Sequence, residues 1–100
     1  MLTKEEVIAI LRRELPYLAR EYGVRRVGLF GSYAKGTQKE DSDVDVVVEF
    51  DRPIGLKFIK LWEYLERQLG TKADVLTRAG IKGIRLRNVA ESIRDSILYV

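Results

Sequence analysis

A chain of 100 residues, 46% hydrophobic and 33% charged, has the size and composition of one small folded domain, expected here to span residues 1–100. It has no histidine and no cysteine, which excludes Ser-His-Asp and Cys-His nucleophilic sites, imidazole or thiolate zinc sites, and any disulfide framework. The net charge of +3 is too small to argue nucleic-acid binding, apolar runs fall far short of the roughly 20 residues that span a bilayer, and no signal peptide follows Met1, so a cytoplasmic protein is expected.

Thr3 and Glu6 have the spacing of a capping box, and Val7, Ile8, Leu11, Leu15 and Leu18 recur at helical spacing behind them. The pattern predicts a helix from near Lys4 that Pro16 kinks or restarts and that stops near Gly23. Arg25 to Phe30 reads as a short strand. Gly31 to Ser42, GSYAKGTQKEDS, is polar and glycine-punctuated, too long for a tight hairpin, and has room for one helical turn after Ser32. Asp43 to Phe50 carries the strongest strand signal. Val44, Val46, Val48 and Phe50 fall on one face, and Asp43, Asp45, Val47 and Glu49 on the other.

Pro53 and Gly55 then break the chain. Phe58, Ile59, Trp62, Leu65 and Leu69 trace an amphipathic helix ending at Gly70, in which Phe58, Trp62 and Tyr64 are expected to form core and rim. Ala73 to Thr77 predicts a third strand. Asn88 and Glu91 can cap a last helix, with Val89, Ile93, Ile97 and Leu98 on its inner face.

The positive excess lies entirely in residues 71–100, which hold six basic and three acidic side chains against twelve of each in residues 1–70. Arg78, Lys82, Arg85 and Arg87 form an acid-free stretch. It reads as a solvated face, or as a surface for phosphate, RNA or an acidic partner.

Three features fall at strand ends: Gly31-Ser32 after the first, Asp43-Val44-Asp45 opening the second, and Asp74 opening the third. Asp43 and Asp45, two apart on a strand, point the same way about 6 to 7 Å apart. Their mutual repulsion calls for a positive charge, and with only oxygen ligands on offer the natural one is a hard cation such as Mg²⁺. Convergence of the three features requires the first two strands to be antiparallel and the third to lie parallel to the second, joined by a right-handed helical crossover. The expected fold is α+β or α/β: a three-stranded mixed sheet with helices on one face, in the order α-β-β-α-β-α.

Gly31 and Gly36 imitate the start of a Walker A loop, but Thr37-Gln38 stands where Lys-Ser/Thr is required. Asp41, Asp43 and Asp45 imitate a calcium loop, but Val46 and Arg52 replace its glycine and glutamate. Asp-x-Asp alone also occurs in metal-dependent glycosyltransferases and nucleases.

The run GSYAKGTQKEDSDVD, with Gly31-Ser32 separated by ten residues from Asp43-x-Asp45, resembles the signature of the polymerase-beta-like nucleotidyltransferase superfamily. Length and element order are similar to its smallest members, the minimal nucleotidyltransferases. The resemblance implies that Gly31 and Ser32 bind the nucleotide phosphates, that Asp43 and Asp45 hold two Mg²⁺ ions, and that Asp74 is the third carboxylate, near the acceptor. It further implies ATP as substrate and AMP transfer to a protein. Minimal nucleotidyltransferases often act as antitoxins of an all-helical HEPN-type ribonuclease toxin, adenylylating a toxin tyrosine. The other readings are a non-catalytic module that silences its partner by occlusion, and nucleotide transfer to a small molecule or an RNA end.

Overall fold

Thr3 opens the first helix in the way its spacing with Glu6 predicts. In a computed structural model of the chain, which describes residues 2–78, 80 and 97–100, the Thr3 hydroxyl accepts from the Glu6 N–H at 3.1 Å. The Glu6 carboxylate accepts from the Thr3 N–H at 3.0 Å. These bonds satisfy backbone donors that have no partner inside the helix. Helix α1 then runs unbroken over Lys4–Tyr22 and ends at Gly23, whose φ of 69° supplies a left-handed cap. Pro16 lies inside it and does not restart it. Both Pro16 and Arg12, whose carbonyl loses its donor, are exposed, so water can take over the missing bond.

Strand β1 (Val24–Phe30) leads into a short helix α2 (Gly31–Lys35), the helical turn expected after the glycine-serine pair. Strand β2 (Val44–Phe50) follows, then helix α3 (Lys57–Leu69) and strand β3 (Ala73–Thr77). Pairing is antiparallel between β1 and β2 and parallel between β2 and β3, as convergence of the strand-end residues requires.

The sheet has a fourth strand that the sequence reading does not contain. Leu98–Tyr99 forms β4, antiparallel to β1 through Gly28↔Tyr99 and Leu29↔Leu98, giving the order β3-β2-β1-β4. The Val100 N–H adds a bond to the Val27 carbonyl at 3.0 Å. This pairing occupies an edge of β1 that would otherwise be open. Leu98, expected on a helix face, is 39% exposed on this strand. The capped helix expected from Asn88 falls on residues outside those described.

Val7, Leu11 and Leu18 of α1, Leu61 and Leu65 of α3, and Val44, Val46 and Val48 of β2 are all fully buried in one cluster between helices and sheet. The opposite face carries a smaller cluster, Phe30 and Val47 packed by Leu76, Ile97 and Tyr99. Gly28 makes room for this layer, since a Cβ there would stand 2.6 Å from Ile97 Cγ2. The alternation read in β2 thus puts Val44, Val46 and Val48 against the helices and Asp45, Val47 and Glu49 on the other face. Among the described residues no helix is long and apolar enough to cross a membrane.

Candidate nucleotide and metal site

The outer face of the sheet, away from the helices, carries the acidic residues at one end. Asp45 pairs with Phe30 across β1 and β2 and with Asp74 across β2 and β3. It therefore stands between the residue preceding Gly31 and the third carboxylate. Asp43, one residue ahead of β2, is exposed, whereas Asp45 is half-buried. Burial, followed by the negative charges of Asp74 and Asp43 and a hydrogen bond shared with Asp74, raises the Asp45 carboxyl from 3.8 to about 6. Both of the other aspartates singled out from the sequence thus act on Asp45.

Gly31 has a φ of 70°, a conformation that costs any residue with a Cβ. The space a Cβ would need is taken by the Asp45 carboxylate, whose Cγ lies 3.0 Å from that position. The sequence reading assigns Gly31 to close approach of phosphate. The structure gives the glycine a second reason, room for the carboxylate itself.

Ser32 is the second residue of α2, whose N-cap is Phe30 and which begins without a capping side chain. The Ser32 hydroxyl is thus no helix cap. Tyr33, 3% exposed, anchors this short helix in the core and fixes Ser32 beside the sheet end. The Ser32 carbonyl accepts from the Thr37 N–H at 2.9 Å, closing the turn.

Among the described residues, no three acidic side chains are drawn together closely enough to hold a metal ion as they stand. The donor set nevertheless suits a hard cation: every ligand is a carboxylate oxygen, and a divalent charge would offset the burial and the repulsion that raise the Asp45 carboxyl. Concavities formed by described residues lie beside Glu63 and Lys72, beside Phe50 and Arg78, and beside Tyr33 and Glu40.

Two features escape the sequence reading. At the far end of the same face, Glu49 pairs with Arg26 at 2.8 Å and with Arg78 at 3.7 Å. Arg78 also donates to the Tyr99 hydroxyl at 3.1 Å, which ties this half-exposed side chain to β4 and Glu49. Lys82, Arg85 and Arg87 lie outside the described residues. The other feature is the hold that α3 has on the start of β3. Trp62 Nε1 donates to the Ala73 carbonyl at 2.7 Å, and Glu66 accepts from the Ala73 N–H at 2.9 Å. Each contact joins residues seven or more positions apart through side chains, and no local pattern announces it.

The sequence model of the nucleotidyltransferase domain family matches residues 8–99. The chain belongs to that family. It is 43% identical over 101 residues to the protein adenylyltransferase MntA of Thermococcus cleftensis, covering 100% of this chain and 98% of that one. It is 42% identical over 103 residues to a Methanocaldococcus jannaschii protein provisionally named a protein adenylyltransferase, MJ1379, with full coverage of both. A solved structure described provisionally as a minimal nucleotidyltransferase superposes with a TM-score of 0.77 at 30% identity, over 97% of this chain and 95% of that one. A crystal structure of a toxin-antitoxin with AMP-PNP shares the fold, with a TM-score of 0.63 at 21% identity over 98% of this chain and 72% of that one. The α+β architecture of this family member is thus a nucleotidyltransferase fold.

Proposed function

We propose that this nucleotidyltransferase moves AMP from ATP onto a hydroxyl of a protein acceptor, and that the acceptor is an all-helical HEPN-type ribonuclease toxin for which it is the cytoplasmic antitoxin. In this reading residues 1–100 work as one domain. The observation that supports the chemistry is the register of Asp45 between Phe30 and Asp74, which brings two carboxylates to the strand end that leads into Gly31-Ser32. Full-length similarity to a protein adenylyltransferase supports the acceptor class.

The Ser32 hydroxyl and the backbone at Gly31 bind and orient the triphosphate. Asp43, Asp45 and Asp74 would hold two Mg²⁺ ions, which when bound supply neutralisation of phosphate charge and acidify the acceptor hydroxyl. The acceptor oxygen bonds to the α-phosphorus, the α–β anhydride bond breaks in line, and pyrophosphate leaves. In this reading Asp74 receives the hydroxyl proton on its carboxylate oxygen.

Intact-mass spectrometry of a co-purified helical partner tests this after incubation with Mg-ATP. The expected result is a mass gain of one or more adenylyl groups, absent with Asp43→Asn/Asp45→Asn. An unmodified partner that is nevertheless fully neutralised in cells by that double variant would favour occlusion without transfer.

A further inference from the structure

Ala73 is held twice by one helix. Trp62 and Glu66, one turn apart on α3, take its carbonyl and its N–H respectively. Among the described residues the strand it opens lies at the edge of the sheet, with β2 on one side. The Val44 N–H donates to the Lys72 carbonyl at 3.1 Å, so Lys72 and, two residues on, Asp74 turn their peptide groups toward β2. The peptide groups of Ala73 therefore point to the free edge, where water would ordinarily serve them. Two side chains serve them here instead. Trp62 is itself fixed, its ring edge-on to Phe58 with centroids 6.0 Å apart and packed on the main core.

The next residue is Asp74, directly opposite Asp45. Strand starts fray, and a carboxylate on the first full turn of backbone after a loop would ordinarily share that motion. We infer that Trp62 and Glu66 are positioning residues for Asp74. By clamping Ala73 from the helix side they fix the height and rotation of the start of β3, so that Asp74 meets Asp45 at the distance at which both can bind one divalent cation. This rests on the proposed reading of Asp74 as the third metal-binding carboxylate. Groups that orient metal-binding side chains typically change metal affinity 10- to 100-fold when removed.

The test is calorimetric titration of the full-length protein with Mn²⁺ in the presence of a non-hydrolysable ATP analogue, beside thermal melts of the same preparations. Trp62→Phe keeps an aromatic ring in the core and loses only the donor. Glu66→Ala loses the acceptor, and Glu66→Gln keeps one. We expect Trp62→Phe and Glu66→Ala to weaken Mn²⁺ binding about tenfold while melting cooperatively, with Glu66→Gln close to the unmodified protein. In an Asp74→Asn background neither substitution should weaken binding further. Undiminished affinity in folded Trp62→Phe and Glu66→Ala, with Asp74→Asn impaired, would overturn the positioning role and leave Asp74 as a ligand. Equal losses with and without Asp74 would also overturn it, since the effect would bypass that carboxylate. Undiminished affinity in Asp74→Asn itself would overturn the reading of Asp74, and the positioning role with it. If Trp62→Phe does not fold, Glu66→Ala and its glutamine rescue decide alone.

Discussion

Asp45 and Asp74 face each other across the parallel strands β2 and β3, and after burial the charge of Asp74 is the largest influence raising the Asp45 carboxyl. Two carboxylates so placed work against the fold when nothing positive lies between them. The protein tolerates this because the surrounding core, with Val44, Val46 and Val48 fully buried on the other side of β2, holds the strand in register regardless.

That repulsion gives a pH dependence with a definite sign. Because the folded protein binds the Asp45 proton more tightly than the unfolded chain, the benefit is full below about pH 4 and is lost as pH rises through about 6. Without divalent metal, Asp45→Asn should therefore gain on the unmodified protein between pH 5 and pH 7.5, by about 1 kcal/mol. Thermal melts in a chelator at the two pH values check this. Parallel pH profiles for the two proteins would contradict it. Adding Mg²⁺ with ATP at pH 7.5 should reverse the order, stabilising only the aspartate form.

Gly31→Ala should destabilise the fold by at least about 1 to 2 kcal/mol from its positive φ alone, with a further loss from collision with the Asp45 carboxylate. Combining Gly31→Ala with Asp45→Ala should recover the collision part and leave the backbone part. Denaturant unfolding of the two single variants and the double variant measures this coupling. Strict additivity would show that the two residues do not compete for one space.

Ser32→Ala separates a ligand-binding role from a structural one. Since Phe30, not Ser32, is the N-cap of α2, removing the hydroxyl should leave stability within about 0.5 kcal/mol. If it binds phosphate through a charge-assisted hydrogen bond, ATP affinity or transfer rate should fall about ten- to a hundredfold, equivalent to roughly 1.5 to 3 kcal/mol. Melting temperature and transfer rate measured on one preparation decide the matter, and a lower melting point with unchanged turnover would refute the binding role.

The helical layer has its own titratable clamp, remote from the site. Tyr64 of α3 donates a hydrogen bond to Glu14 of α1, which raises the Tyr64 hydroxyl to about 12 and lowers the Glu14 carboxyl below 4.5. The Glu14 contribution is present above pH 4.5 and fades as pH falls through the lowered value. The Tyr64 contribution is present below pH 10 and fades as pH rises through about 12. Tyr64→Phe should cost about 1 to 2 kcal/mol across the plateau between, or several degrees of melting temperature, with transfer activity per folded molecule unchanged. A loss of activity without a loss of stability would contradict this placement.

Legibility in the sequence followed the range of the interactions. Thr3-Glu6, the Val-x-Val-x-Val of β2 and the apolar spacing of α3 are local patterns, and the structure has those elements within a residue or two of the predicted bounds. The placement of Asp74 beside Asp45 was also readable, because three strand-end features could converge in only one topology. What stayed hidden depends on residues distant in sequence. A two-residue strand at Leu98 has no period of its own, and Ile97 beside it continues the helical spacing of Val89 and Ile93. The survival of α1 through Pro16 depends on exposure, and the second reason for Gly31 depends on where Asp45 sends its carboxylate.

Strand β1 pairs on one side with a segment about twenty residues downstream and on the other with residues some seventy downstream, since Leu29 meets both Val46 and Leu98. During synthesis the first partner emerges long before the second. A nascent chain can therefore assemble the helical side of the sheet while Val47 and Phe30 still face water and β1 still offers its second edge to any passing strand. The slowest step to the finished molecule should be this long closure, and its intermediate is the species most exposed to mispairing with other chains.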